Sequence, residues 1–345
     1  MGLKMKKKVA QPTNNSVQTH NSIQIWYEGK KESIVSLDLD INIWRLKSED
    51  TKIFMDFGLK IDKASDVTRA YIYFPFVFDK NSIIDLGNSL SNPQILKGIF
   101  NENYIISANT NNPKNLIIKD DNTNKVLFSA YAFNVNDDFK VEKTFDGTVI
   151  SFNVKKTNQT DVRYYRFRIA AKDYSPFIEH HKPNNSFFES AFIETELLDF
   201  RINEKRNQDP SLIERIMEQM RFKITNINFF VMTSINDEII SDGINLIYKR
   251  QLEMGDFWTP YLGVEYEKMS VYKSNNVREL DAIEDFSCFA KINYRKSNVV
   301  TILKYLVVLF LITVLFSVCA NIISNIIWRC IELILYPTIM KGGLL

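Results

Sequence analysis

Apolar and polar residues alternate one by one over much of the chain before position 295. Between positions 35 and 43 every odd residue is apolar, and every even residue is Ser, Asp or Asn. Side chains in a strand point alternately to its two faces, so this period of two predicts a strand with one buried face. Related patterns predict further strands near 53–61, 71–78, 125–135, 139–145, 148–155, 163–171, 192–203, 222–234, 244–252, 267–273 and 286–294.

Helix signals are few in the same region. One short helix is predicted at 210–220, because Asp209 is a favourable N-cap and Pro210 suits the first turn. Apolar residues then recur at helical spacing at Ile213, Ile216, Met217 and Met220. The Asn-rich stretch 79–124 predicts long loops around short strands or a helix near 92–101.

Strands with so little helix between them predict a mainly β fold, and a sheet with one apolar face must bury that face against another layer. We therefore expect a β-sandwich-like body, built either as one large sandwich or as two smaller ones. In the second case a first β-rich region covers 21–178 and a second covers 187–296, on either side of the polar stretch 180–186.

Residues 305–328 form a run without a charged side chain. As a helix rising about 1.5 Å per residue the run would be about 36 Å long, enough for a hydrocarbon core of about 30 Å with some tilt. Basic and aromatic residues border it, as is typical of membrane–water interfaces: Lys304, Tyr305, Trp328 and Arg329. The sequence therefore predicts a C-terminal transmembrane helix over 303–328, with the lipid bilayer as a partner.

Basic residues predict the orientation of this helix. Residues 1–8 contain four lysines, but the segment that follows is polar, so we expect no secretory signal and interpret 1–20 as a basic disordered arm. Residues 291–304 contain four basic residues and no acid, whereas 329–345 contain two basic residues. By the positive-inside rule the protein is expected to be a single-pass, C-terminally anchored membrane protein with its body in the cytosol.

The segment 329–345 has two interpretations, a short interfacial tail or a second hydrophobic segment that returns as a hairpin. Arg329 and Glu332 make a second crossing costly. Within and beyond the span, polar residues fall within about 120° of one helix face at 100° per residue: Thr313, Ser317, Asn321, Ser324, Asn325 and Glu332. This polar stripe predicts a helix–helix contact in a homo-oligomer, or the lining of an oligomeric pore.

Composition narrows the chemistry. The chain contains 43 Lys and Arg against 41 Asp and Glu, with 3 His and 3 Cys. This balance does not favour nucleic-acid binding, and three cysteines cannot form a disulfide framework. No phosphate-binding Gly-rich loop and no zinc or nucleophile motif occurs, and the neighbouring His180 and His181 point to opposite faces of an extended chain. We therefore predict no cofactor, no metal site and no catalytic residue.

The strongest ligand candidates lie on the strand near 163–171. Tyr164, Arg166 and Arg168 would share one face of it, and two guanidinium groups beside a phenol suit a small phosphorylated ligand. The alternative is a solvated strand face whose arginines pair with acidic residues of a neighbouring strand, the candidates being Glu194, Glu196 and Asp199.

Together these features predict a membrane-anchored cytosolic binding or sensor domain that oligomerises and acts through its C-terminal helix. By analogy of layout alone, this suits a membrane-perturbing effector in bacterial antiviral defence against phage. One alternative is a non-catalytic adaptor that tethers a cytosolic complex to the membrane and binds a protein partner. Another is a membrane-bound enzyme that uses carboxylate chemistry on the sheet.

Overall fold

The computed structural model describes residues 21–46, 52–108, 114–144, 146–156, 159–181, 193–206, 208–240, 248–253, 255–265, 268–277, 282–295 and 299–341. The predicted basic arm 1–20 lies outside these residues. The strands are β1 Ser22–Gly29, β2 Ser36–Leu46, β3 Lys52–Ile61, β4 Val67–Phe74, β5 Ile83–Asp85, β6 Tyr104–Ala108, β7 Asn115–Asp120, β8 Val126–Tyr131, β9 Phe139–Lys143, β10 Thr148–Asn153, β11 Arg163–Ile169, β12 Ile178–His181, β13 Ile193–Ile202, β14 Lys223–Ser234, β15 Glu238–Ile240, β16 Tyr248–Gln251, β17 Met269–Val277 and β18 Phe286–Arg295. The α-helices are α1 Pro93–Phe100, α2 Val135–Asp138, α3 Pro210–Met217, α4 Trp258–Leu262 and α5 Val299–Lys341.

These strands form two sheets. Sheet I has the order β15-β18-β13-β1-β4-β10-β9, with β12 beside β13, and sheet II has the order β16-β17-β14-β2-β3-β11-β8-β7-β6, with β5 beside β11. β1 pairs in parallel with β13, and β2 pairs in parallel with β14, so each sheet combines strands from both of the β-rich regions expected from the sequence. Residues 21–181 and 195–293 accordingly belong to one compact unit.

The two sheets pack face to face through apolar side chains. In β2 the odd-numbered residues predicted to be buried, such as Leu39 and Ile41, are fully buried. Aromatic rings join the layers: Phe57 of β3 meets Phe74 of β4 at 5.1 Å between ring centroids, and Phe200 of β13 lies 4.9 Å from Phe229 of β14. The mainly β, sandwich-like fold expected from the alternating patterns is confirmed.

Short helices cover the outer faces of both sheets. α3, capped by Asp209 as predicted, packs Leu212 and Ile216 against Trp26 and Tyr73 of sheet I. α1 and α4 cover sheet II, where apolar residues of both helices join side chains of the strands in one cluster. The outer face of sheet II is therefore largely removed from water, although its strands alternate as if that face were solvated.

The long helix α5 belongs to a second unit and is described by itself. Its segment Ile302–Leu333 has 32 residues and contains an 18-residue stretch with a mean hydropathy of 2.8 and no buried residue, so by length and composition the segment is able to cross a membrane. At about 1.5 Å per residue that segment is about 48 Å long. The helix continues past Arg329 to Lys341, whereas the sequence predicted a span over 303–328 followed by an interfacial tail or a hairpin.

Candidate functional site

The predicted ligand residues Tyr164, Arg166 and Arg168 share one face of β11, the outer face of sheet II. All three side chains are buried, with 0%, 0% and 2% of their surface exposed. The alternative of a solvated strand face is therefore wrong, because Phe100 of α1 packs on Tyr164 and Tyr261 of α4 contacts both arginines. Their acidic partners come from β2 and β3 of the same sheet, whereas Glu194, Glu196 and Asp199 lie on sheet I.

Asp56 of β3 is the centre of a network of buried hydrogen bonds that joins sheet II to α4. We call it the buried network. Its two carboxylate oxygens accept hydrogen bonds from Arg168 Nε at 2.6 Å and Arg168 Nη2 at 3.0 Å. Trp44 Nε1 and the Tyr261 hydroxyl also donate to Asp56, each at 2.8 Å. Four hydrogen bonds saturate a carboxylate, so Asp56 is a fully partnered buried anion.

Arg166 extends the network along the strand. Its Nε donates to the Tyr261 hydroxyl and its Nη1 to the Tyr164 hydroxyl, both at 2.9 Å. The Tyr164 hydroxyl donates in turn to Asp40 Oδ2 at 3.2 Å. Gly58 lies opposite Arg166 in the sheet, and a Cβ there would lie 2.2 Å from the Tyr164 oxygen, so only glycine leaves room for this arrangement.

Electrostatics keep the two arginines of the network charged. Burial by itself lowers the pKa of the Arg168 guanidinium, but Asp56 more than offsets this and holds that pKa above its usual value. Burial also opposes the charge of Arg166, whose pKa is nevertheless raised by the surrounding tyrosine and aspartate groups. Ligand binding by Tyr164, Arg166 and Arg168 stays a prediction, and it would require α4 to move.

A cleft of about 450 Å³ provides a more accessible candidate site. It lies at the end of the sandwich where β3 and β13 begin. The last residues of β18 reach the same end, where the Thr195 hydroxyl of β13 donates a hydrogen bond to Asn293 Oδ1 of β18 at 2.9 Å. Four separate segments line it, contributing Lys52, Ile53 and Phe54 of β3, the loop 170–175, Ile178 and His180 of β12, and Glu196 of β13. Cavities of this size are typical of small-molecule sites.

A buried ion pair forms the floor of the cleft. Arg45 at the end of β2 binds the Glu196 carboxylate through both prongs of its guanidinium, Nε at 3.0 Å and Nη2 at 2.6 Å. The side chain of Glu196 is 2% exposed and that of Arg45 is 10% exposed. His180 Nδ1 lies 3.2 Å from the same carboxylate, while its own side chain is 64% exposed. Both oxygens of Glu196 are thus occupied by protein groups.

The six polar residues predicted to form the stripe all lie on the single helix α5. Side chains from 302 to 333 have little or no burial, including the four predicted interface residues Lys304, Tyr305, Trp328 and Arg329. Thr313 of the stripe satisfies its hydroxyl within the helix by donating to the Leu309 carbonyl at 2.8 Å. The amide groups of Asn321 and Asn325 remain available to another molecule.

Other chemistry is sparse among the described residues. No group of three or more His, Cys, Asp or Glu side chains in that part of the chain is arranged to hold a metal ion. Burial raises the pKa of the Cys288 thiol to about 12, so this thiol is protonated and unreactive near neutral pH.

The architecture defines the protein as a two-sheet β body followed by an apolar helix. No known family of proteins matches the chain, and no curated protein resembles it significantly in sequence. Functional arguments therefore depend on the two features just described, the cleft at the end of the sandwich and the polar stripe of α5.

Proposed function

We propose that this protein is a membrane-anchored binding protein whose body stays in the cytosol and whose C-terminal helices associate through the polar stripe of α5. The observation that carries the proposal is the amide-bearing face of a helix whose described side chains, from 302 to 333, are almost all exposed within the chain. Oligomerisation is the step through which the body acts on the membrane. A role in phage defence stays a prediction from the layout.

The position of the amides supports self-association. Asn321 is about 12 Å from Arg329 along the helix axis, at about 1.5 Å per residue, which places it inside the hydrocarbon core if Arg329 lies at an interface. An amide there has no water to bond, so a second helix that offers an amide in return lowers its free energy. Ser317 and Ser324 on the same face are small enough to let two helices approach closely.

Replacing Asn321 and Asn325 together by Leu is expected to weaken self-association of the full chain about tenfold, because interhelical amide bonds contribute about 0.6–2 kcal/mol each. The measurement is energy transfer between donor- and acceptor-labelled copies in liposomes, titrated by the ratio of protein to lipid. Release of an entrapped dye in the same samples reports on membrane perturbation.

The matched control for this experiment is Phe316→Leu with Ile323→Leu, two apolar changes on the opposite face of α5, which should leave energy transfer unchanged. Equal association of the Asn variant and the wild type would contradict the role of the stripe. Association of the wild type without any dye release would favour the adaptor function over membrane perturbation.

The cytosolic orientation predicts a labelling pattern for single cysteines placed in a background without Cys288, Cys319 and Cys330. A membrane-impermeant maleimide added to intact spheroplasts should label Leu345→Cys. It should label Asn122→Cys, in an exposed turn of the body, only after the membrane is permeabilised, because the four basic residues of 291–304 favour the cytosolic side. The reverse pattern would show the opposite orientation.

A further inference from the structure

The cleft between sheets I and II combines an apolar wall, which includes the Phe54 ring, with two lysines that form no ion pair among the described residues. We propose that it binds a small phosphomonoester that carries a flat apolar group, with Lys52 and Lys172 holding the phosphate. This inference does not depend on self-association of α5, because every residue that lines the cleft belongs to the body.

The apolar wall is held in place by contacts behind it. The Arg168 guanidinium of the buried network lies 4.7 Å from the centroid of the Phe54 ring. Tyr174 is buried, and its hydroxyl both accepts from the Ala171 amide at 2.8 Å and donates to the Ile169 carbonyl at 2.9 Å. Its polar atom is thus taken up by the protein. The partly exposed ring of Phe54 presents ordered apolar surface to a ligand, which reduces the entropy lost on binding.

The charges of the cleft favour an anion. The charge of Glu196 is offset by the two-pronged contact of Arg45, and Asp173 accepts a hydrogen bond from the Ser175 amide at 2.8 Å. Lys52 and Lys172 are exposed and form no ion pair with another described residue. With the Arg45–Glu196 pair neutral, Lys52 and Lys172 outnumber the one remaining acid, Asp173, so the cleft keeps a positive charge that suits an anion such as a phosphomonoester, which carries about two negative charges near pH 7.

A cationic ligand fits this cleft less well. Glu196 is the buried carboxylate that would attract it, and both of its oxygens already accept from Arg45. Binding a cation would require that contact to break, which separates two nearly buried opposite charges. The exposed Asp173 alone is screened by water and competes with two nearby lysines.

The test uses the full chain in detergent and phenyl phosphate as the probe, with binding measured by calorimetry. We expect phenyl phosphate to bind at least tenfold more tightly than either inorganic phosphate, which lacks the aromatic ring, or benzyl alcohol, which lacks the phosphate.

Lys52→Gln with Lys172→Gln should weaken phenyl phosphate binding at least tenfold. Phe54→Ala should weaken phenyl phosphate but leave inorganic phosphate unchanged. The matched control is Lys125→Gln with Lys140→Gln, two exposed lysines outside the cleft, which should bind like the wild type.

The same phosphate group could come from a soluble metabolite or from a lipid headgroup, and dihexanoyl phosphatidic acid below its micellar concentration distinguishes them. Tighter lysine-dependent binding of this lipid than of phenyl phosphate assigns the headgroup, and the reverse order assigns a soluble ligand. Absence of binding at millimolar concentration, or equal binding by the Lys52/Lys172 variant, would overturn the proposal. Energy transfer by that variant in liposomes should match the wild type, so failure of the cleft and failure of helix association are separate results.

Discussion

Replacing Asp56 by Ala is expected to lower the free energy of unfolding by about 3–5 kcal/mol, because it leaves the buried Arg168 guanidinium without its counter-charge. The change also removes the acceptor of Trp44 Nε1 and of the Tyr261 hydroxyl. A typical domain is stable by only about 5–15 kcal/mol, so the loss removes a large fraction of the total. The measurement is a guanidinium titration of the full chain in mild detergent, followed by the fluorescence of the buried Trp26, Trp44 and Trp258.

Two further variants test whether the loss of stability comes from the buried, unpaired charge. Asp121→Ala removes an aspartate from an exposed turn and should change stability by less than about 0.5 kcal/mol. Asp56→Leu with Arg168→Met replaces both charges by apolar groups and should recover much of the loss, since paired removal of a buried ion pair is often close to neutral. If Asp56→Ala were as stable as Asp121→Ala, the network would not link sheet II to α4.

The pattern of β2 shows how far the sequence predicts this fold. Its odd-numbered residues were expected to be buried and are, because alternation in one strand reports directly on one face. The fate of the other face was not predictable in the same way. Asp40 and Asn42 read as solvated positions, but Asn42 is buried and the Asp40 carboxylate accepts hydrogen bonds from Tyr164 and Asn228, more than one hundred residues later in the chain. Local periodicity carries no information on such distant cover.

β1 shows a second limit. It lies between β13 and β4 in sheet I, yet its stretch was not predicted as a strand. Its polar residues Ser22 and Gln24 are buried, and Gln24 Nε2 donates to the Ser22 hydroxyl and to the Glu204 carbonyl. Polar and apolar residues alternate only over 22–25, and Trp26 and Tyr27 then follow as two buried aromatic residues, so the period of two is too short to predict this strand.

The candidate sites were predictable to different degrees. The stripe on α5 could be read from the sequence because all of its residues lie on one helix, whose periodicity fixes their relative angles. The cleft could not, because Lys52, Tyr174, His180 and Glu196 come from distant segments that only the pairing of strands brings together. Glu196 was named only as a partner for the arginines of β11, whereas it pairs with Arg45 of β2.

Replacing Glu196 by Ala is expected to lower the free energy of unfolding by about 3 kcal/mol, since it removes the carboxylate that both prongs of the nearly buried Arg45 guanidinium bind. This value lies at the lower end of the range for buried pairs because the Arg45 side chain is still 10% exposed. Glu179→Ala is the matched control, an exposed glutamate on the neighbouring strand β12, and should change stability by less than about 0.5 kcal/mol. Guanidinium titration of the full chain measures both.

Combining Arg45→Met with Glu196→Met should restore most of the lost stability, which gives a coupling energy of about 2 kcal/mol or more in a double-mutant cycle. His180→Ala should cost no more than about 1 kcal/mol, although His180 lies near the same carboxylate, because an exposed partner is screened by water. A coupling energy near zero would mean that Arg45 and Glu196 are each solvated independently. The floor of the cleft would then retain a free carboxylate, and the argument for an anionic ligand would lose the neutralisation on which it depends.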